Sequence, residues 1–187
     1  MSDNSKHKKD ITESLSSNNL AENLGILVKS IMEQGYKQQH IISQWLKIWS
    51  NYLLFENKFN PKQMIYYKRG DIVLAHFGYN VGNELGGIHY AVVIEKNNNI
   101  SNGIVTVIPL SSLEAGKTKN DLHNSEVFLG KVIGNVDCYA MPLQIRPISK
   151  LRIIKPKHKG HGKTTVSGEL LDKIDNQIRR IFTKQND

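Results

Sequence analysis

Apolar residues fall at two different spacings along this chain, and the change comes near residue 66. Before it they recur every three to four positions, first at Leu20, Leu24, Leu27 and Ile31, then at Ile41, Trp45, Ile48, Trp49 and Tyr52. That spacing is the stripe of an amphipathic helix, so two helices are expected. Asn19 with Glu22 reads as a capping box for the first, and the second runs from about Gln38 to Phe55. Two tryptophans on one helix predict a stripe packed on its own domain or on a dimer mate, rather than a platform for stacking RNA bases. Residues 1–18, rich in Ser, Asn and Lys, are expected to be disordered. Asn57–Gln63, with Pro61, is the expected domain boundary.

From Tyr66 the pattern becomes short β runs separated by Gly and Asn turns. Ile72–Phe77, Tyr90–Glu95 and Val105–Leu110 read as strands, with a turn from Asn97 through Gly103 between the second and third. Val127–Leu129 and Tyr139–Ile145 add further β structure. Ser167 reads as the cap of a last helix that places Leu171, Ile174, Ile178 and Ile181 on one face. Several short strands with one terminal helix predict a mainly β (α+β) domain, either a small barrel or a two-sheet sandwich. An α-helical extension over 19–60 precedes it.

Composition narrows the setting. No stretch of the 187 residues approaches the roughly 20 apolar positions needed to span a bilayer. The first fifteen residues hold no apolar run of the secretory kind, and a single cysteine, Cys138, cannot form an internal disulfide. These features predict a cytoplasmic protein with no membrane association. Inside an apolar run, Cys138 is expected to be buried rather than nucleophilic. The net charge of +8 lies almost entirely beyond residue 60. There Arg146, Lys150, Arg152, Lys155, Lys157, Lys159 and Lys163 follow one another with no acid between them. Such a run is the footprint of a polyanion-binding surface, or simply a solvated loop.

The chain has no CxxC pair, HExxH helix, Walker loop or GxSxG elbow. His158 and His161 stand three apart but without a cysteine or carboxylate, so they are read as part of the basic patch, and neither a metal site nor a cofactor is expected. The informative stretch is Lys68–Ile94, KRGDIVLAHFGYNVGNELGGIHYAVVI, which reads as a strand, a glycine-containing loop and a second strand. Gly82, Gly86 and Gly87 permit tight turns and leave room for a ligand. His89 stands at the mouth of the second strand, where it is either structural or aimed at the loop.

This stretch resembles the N-terminal half of the MazF/PemK family of toxins, which open on an RGD or RGE strand and pass through a G-G-x-R-P-like turn into a V-V-I strand. The matching residues are Arg69-Gly70-Asp71, Val81 to Gly87, and Ala91-Val92-Val93-Ile94. Val107-Ile108-Pro109-Leu110-Ser111-Ser112 resembles the family's V-x-P-I-T-S strand, and Gln144 to Arg152 its Q-I-R-T-I-D-K-x-R block. The blocks come in order over roughly residues 66 to 183, and the first 60 residues have no counterpart in short members. The resemblance implies an SH3-like β-barrel of the MazF/PemK/CcdB type with a C-terminal helix, over 62–187. It also implies a homodimeric, sequence-selective and metal-independent endoribonuclease. Such an enzyme cuts single-stranded RNA (mRNA) by 2′-hydroxyl attack, leaves a 2′,3′-cyclic phosphate, and is silenced by a cognate antitoxin.

The family's catalytic arginine aligns with His89 and its catalytic threonine with Ser111. Histidine suits proton transfer better than arginine, and a serine hydroxyl still donates to a phosphate oxygen. Met141 and Leu143 stand where PemK-type members place an Arg and an Asp. By position in the matched blocks, Arg69, Asn83, Glu84, Gln144 and Arg146 are candidate RNA contacts, though each could instead fix loop or strand geometry. Lys155, Lys157 and Lys159 are candidate phosphate contacts by charge. A non-catalytic nucleic-acid- or protein-binding module on the same barrel, or a self-regulating role for the N-terminal helices, remain the alternatives.

Overall fold

The structure, a computed structural model, describes residues 17–184. The expected disorder of residues 1–18 lies outside that range except at its end, where Ser17 and Asn18 already belong to a helix. That helix, α1, spans Ser17–Met32, so it starts ahead of the expected Asn19 cap. Helix α2 spans Tyr36–Phe55. Among the described residues no helix is long and apolar enough to cross a membrane. The chain divides into two compact units between Ile48 and Trp49, inside α2 and ahead of the Asn57–Gln63 segment.

The first unit is a helical hairpin. Gln39 ties its turn by donating from its side-chain amide to the carbonyls of Met32 (3.1 Å) and Gln34 (2.8 Å). Two helices alone enclose little volume. Leu20, Leu24 and Leu27 of the expected α1 stripe are exposed, and on α2 Ile42, one position round from the expected face, is the buried residue.

The second unit begins with the end of α2 and is built on seven strands: β1 (Ile72–Gly78), β2 (Gly87–Val93), β3 (Ile104–Ser112), β4 (Val127–Ile133), β5 (Val136–Ala140), β6 (Arg146–Ser149) and β7 (Ile153–Lys155). The sheet runs β4-β5-β3-β2-β1-β7, with β6 added on β3. It is antiparallel throughout. The expected barrel is therefore an open path, with no ladder joining β4 to β7. The expected run Tyr139–Ile145 also breaks: β5 ends at Ala140, and Pro142–Gln144 makes a 3-10 turn before β6. A proline within a strand cannot donate to its ladder.

Side-chain alternation on these strands makes two cores. Val73, Ala75, Phe77, Ala91, Val93, Val105 and Val107 build one with Tyr67, Ile148 and Ile153. Ile72, Val92, Ile108 and Leu110, from the other parity, build the second with Val127, Leu129 and Ile174. Helix α3 (Gly168–Phe182) covers the second core, capped by Ser167 as expected, with Ile174 fully buried and Leu171 and Ile178 beside it. The Arg69-Gly70-Asp71 motif serves this assembly. Gly70 has a positive φ of 88°, and a side chain there would press on Leu171 and Val166. Asp71 is buried, accepts the Lys68 backbone N–H and pairs with Lys163. His76, whose direction the sequence leaves open, lies on β1 against Tyr52 of α2, which hydrogen-bonds its Nδ1.

Candidate active site

The site forms where β2 and β3 part. Their ladder pairs Ala91 with Pro109, Val92 with Ile108 and Val93 with Val107, and stops there. Continuing that register would set His89 opposite Ser111. Instead β3 carries on against β5, with Ser111 opposite Tyr139. The parting leaves a cavity of about 400 Å³, lined by His89, Tyr90, Ser111, Ser112, Ile133 and Cys138 among others. Both sequence-predicted catalytic residues thus share one cavity.

His89 is held on two sides. Its ring meets Phe77 edge-on, with centroids 6.2 Å apart, and its Nδ1 lies 3.4 Å from the Leu110 carbonyl oxygen. A carbonyl only accepts, so Nδ1 carries a proton in that contact, and in the neutral ring Nε2 is the acceptor. Nε2 faces Gly87, where an added Cβ would stand 4.0 Å away. His89 Nε2 therefore lies at the glycine end of the loop. Cys138, buried as expected, donates to the Val136 carbonyl, and burial pushes its thiol up from the ordinary value. It forms wall rather than nucleophile.

The β1–β2 loop is closed at its base. A Cβ on Gly86 would lie 2.7 Å from the Gly78 carbonyl oxygen, and Gly78 and Gly87 both hold positive φ, at 95° and 82°. Asn80 ties the two sides together by donating to the carbonyls of Phe77 and Leu85. Asn83 and Glu84 stand exposed on this loop. Gln144 pins it from outside: its Oε1 accepts the Leu85 N–H and its Nε2 donates to the Asn83 carbonyl, both at 3.1 Å. The same Oε1 accepts from Arg146 Nη2 at 2.7 Å. Arg146 in turn places its guanidinium 5.6 Å from the Phe77 ring centre. Phe77 thus contacts both His89 and Arg146, and the loop, Gln144 and Arg146 form one connected unit.

Arg69 is not brought to this cavity. Its guanidinium pairs with Asp175 on α3 and donates to the Ile94 carbonyl, which makes it a strut of the fold. Lys155 stands 5.9 Å from the centre of the Tyr90 ring. It lines a second cavity, of about 310 Å³, that shares Tyr90 and Ile133 with the first. Lys157 and Lys159 line a third, of about 660 Å³, that shares Gly162 and Lys163 with the second. The His158 and His161 rings lie 3.6 Å apart at its edge. Lys150, counted with these cations in the sequence, is buried instead, bonded to the Asn99 carbonyl at 3.0 Å. Sequence reasoning also passed over Phe77 and Tyr90. The signal was available in the hairpin, since Tyr90 follows His89 and so faces the opposite side of β2.

A family model described as PemK-like, MazF-like toxin of type II toxin-antitoxin system matches residues 68–182. The chain belongs to that family. The match contains both catalytic candidates and the lysines from Lys155 to Lys163 that line the second and third cavities, and it leaves α1 and α2 outside. Among solved structures, MazF (Form-I) from Deinococcus radiodurans is 16% identical, with 63% of this chain and 97% of that one covered and a TM-score of 0.43. MazE-MazF (Form-II) from the same organism is also 16% identical, with 63% and 96% covered and a TM-score of 0.40. No curated protein matches the chain.

Proposed function

We propose that this family member is an endoribonuclease toxin that cuts single-stranded RNA by 2′-hydroxyl attack. The observation that supports it most is the cavity that His89 and Ser111 share. His89 takes the 2′-hydroxyl proton, and the 2′-oxygen attacks the adjacent phosphorus. The bond to the 5′-oxygen breaks, and that oxygen takes up a proton from water. The products are a 2′,3′-cyclic phosphate and a 5′-hydroxyl. Ser111 donates to a non-bridging oxygen as charge gathers on the phosphorane. Asn83 and Glu84, exposed on the loop, meet bases and thereby select sequence, while Lys155, Lys157 and Lys159 meet phosphates along the adjoining cavities.

The step as written uses no metal, the base being His89 and the phosphate-oxygen donor Ser111. As the toxin of a type II pair, the chain would be held silent by a cognate antitoxin, and would act in the cytoplasm as a homodimer. Purified protein incubated with labelled single-stranded RNA in excess EDTA tests the enzyme reading. Cutting that persists, and that a 2′-deoxy substitution at the scissile nucleotide abolishes, supports it. Activity restored only by added divalent cation would overturn the metal-free step. Inertness toward many RNAs would leave a binding module in its place.

A further inference from the structure

We propose that Tyr90 and Lys155 form a nucleotide subsite beside the cleavage position, taking one unpaired base on the tyrosine ring and an adjoining phosphate on the ammonium. The inference rests on the RNA-cutting reading of the neighbouring cavity and adds a residue that neither the family match nor the catalytic pair assigns.

Strand alternation separates the roles of two consecutive residues. His89 shares its face with Ala91 and Val93, toward Phe77, whereas Tyr90 turns to the other face and only partly packs on the second core. Tyr90 lines both the His89–Ser111 cavity and the second cavity, together with Ile133, so the two cavities adjoin at this residue. A ring in that place offers a π-face to whatever passes from one to the other, and every base can stack on it.

The cations around the second cavity differ in what they have left to bind. Lys163 is already committed, 2.5 Å from the Asp71 carboxylate and 2.7 Å from the Tyr66 carbonyl oxygen. Lys155 pairs with no carboxylate among the described residues and holds its charge 5.9 Å from the Tyr90 ring centre. An aromatic ring beside a cation that no carboxylate holds fits a nucleotide, base on one and phosphate on the other. His161 supplies an edge contact on the same cavity. Its Nδ1 accepts the Lys157 backbone N–H at 3.1 Å, so in the neutral ring Nε2 bears the proton and is a donor for a base acceptor.

Binding of a fluorescent single-stranded oligoribonucleotide, made uncleavable by 2′-deoxy substitution, tests the subsite apart from catalysis. Tyr90→Leu keeps apolar packing but removes the ring, and is expected to weaken binding by about tenfold or more. Tyr90→Phe should recover most of that loss. Abasic substitution, moved along the oligonucleotide, should weaken binding to the parent at one position next to the scissile phosphate, and should have no further effect there in Tyr90→Leu. Lys155→Gln should lower the salt slope of binding by about one. Parental affinity in Tyr90→Leu, or abasic effects that add to it at every position, would overturn the subsite while leaving the nuclease reading standing. If Tyr90→Leu does not fold, the abasic scan on the parent decides, and a flat scan overturns the proposal. A parent that binds no oligonucleotide at all would overturn the RNA reading itself.

Discussion

Gln144 accepts the backbone N–H of Leu85 through its side-chain oxygen at 3.1 Å, across 59 positions of sequence. The same oxygen takes the Arg146 guanidinium, so one amide sets both the loop and the cation above Phe77. Replacing it by alanine strands a backbone donor and frees Arg146. Gln144→Ala should cost roughly 1–2 kcal/mol of stability. It should also slow cutting by about ten- to a hundredfold, because displaced catalytic geometry is expensive. Hydrogen exchange should accelerate at the Leu85 amide. An unchanged exchange rate there would show that other contacts hold the loop.

His89→Ala should reduce the cleavage rate by about 10²–10⁴, the usual worth of a positioned proton-transfer group. His89→Arg should recover part of the loss, since a fixed cation still stabilises the phosphorane. Ser111→Ala should cost less than His89→Ala. Single-turnover rates on one RNA rank the three variants, and a parental rate in His89→Ala would make His89 a strand residue only.

Arg69→Ala should separate scaffold from substrate contact. It removes the ion pair to Asp175 and a bond to the Ile94 carbonyl. Both groups are partly solvated, so the expected loss is about 1–2 kcal/mol of stability, read from denaturant titration. RNA affinity should stay at the parental level. A drop in affinity without a drop in stability would return Arg69 to the RNA-contacting set.

Neutralising Lys155, Lys157 and Lys159 together should weaken RNA binding at every sequence and flatten its salt dependence by roughly two in slope. Equal slopes in parent and variant would make the basic segment a solvated loop.

Acid stability should report on Glu95. Burial pushes its carboxyl up, but hydrogen bonds from Thr106 and Asn98, with Lys150 nearby, outweigh that and hold it below its ordinary value of 4.5. A depressed carboxylate adds stability in full above the unfolded value, and loses it as pH falls through the folded one. The midpoints of the parent and Glu95→Gln should therefore converge as pH drops from about 6 to about 3. Parallel curves in urea titrations would show that Glu95 is uncoupled from folding.

The strands and α3 were legible because period and parity are local. Val73, Ala75 and Phe77 announce one face of β1 by alternation, and Ile174 and Ile178 announce the buried side of α3. Partner choice by polar groups was not legible. Arg69 finds Asp175 across 106 positions, and no spacing rule reaches that far. Lys150 read as surface charge, yet it is buried over Tyr67 with the Asn99 carbonyl as its acceptor. Burial pushes its ammonium down, and Glu95 partly offsets this. His89 and Ser111 became readable as a pair only through the family resemblance, since 22 residues separate them and the parting of β2 from β3 leaves no mark in either segment alone. In the first unit the helical period holds: Leu20 and Leu24 keep their spacing on α1, and both are exposed.

The Gly78–Gly86 contact makes the hairpin loop modular. Its two legs touch backbone to backbone, so the strands below receive the same geometry whatever is carried above. Residues added at the Val81–Gly82 tip would lengthen a loop whose ends are already joined, and each doubling of length costs only about 0.6 kcal/mol more in closure entropy. The scaffold can therefore carry loops of other lengths without rebuilding the β1–β2 ladder.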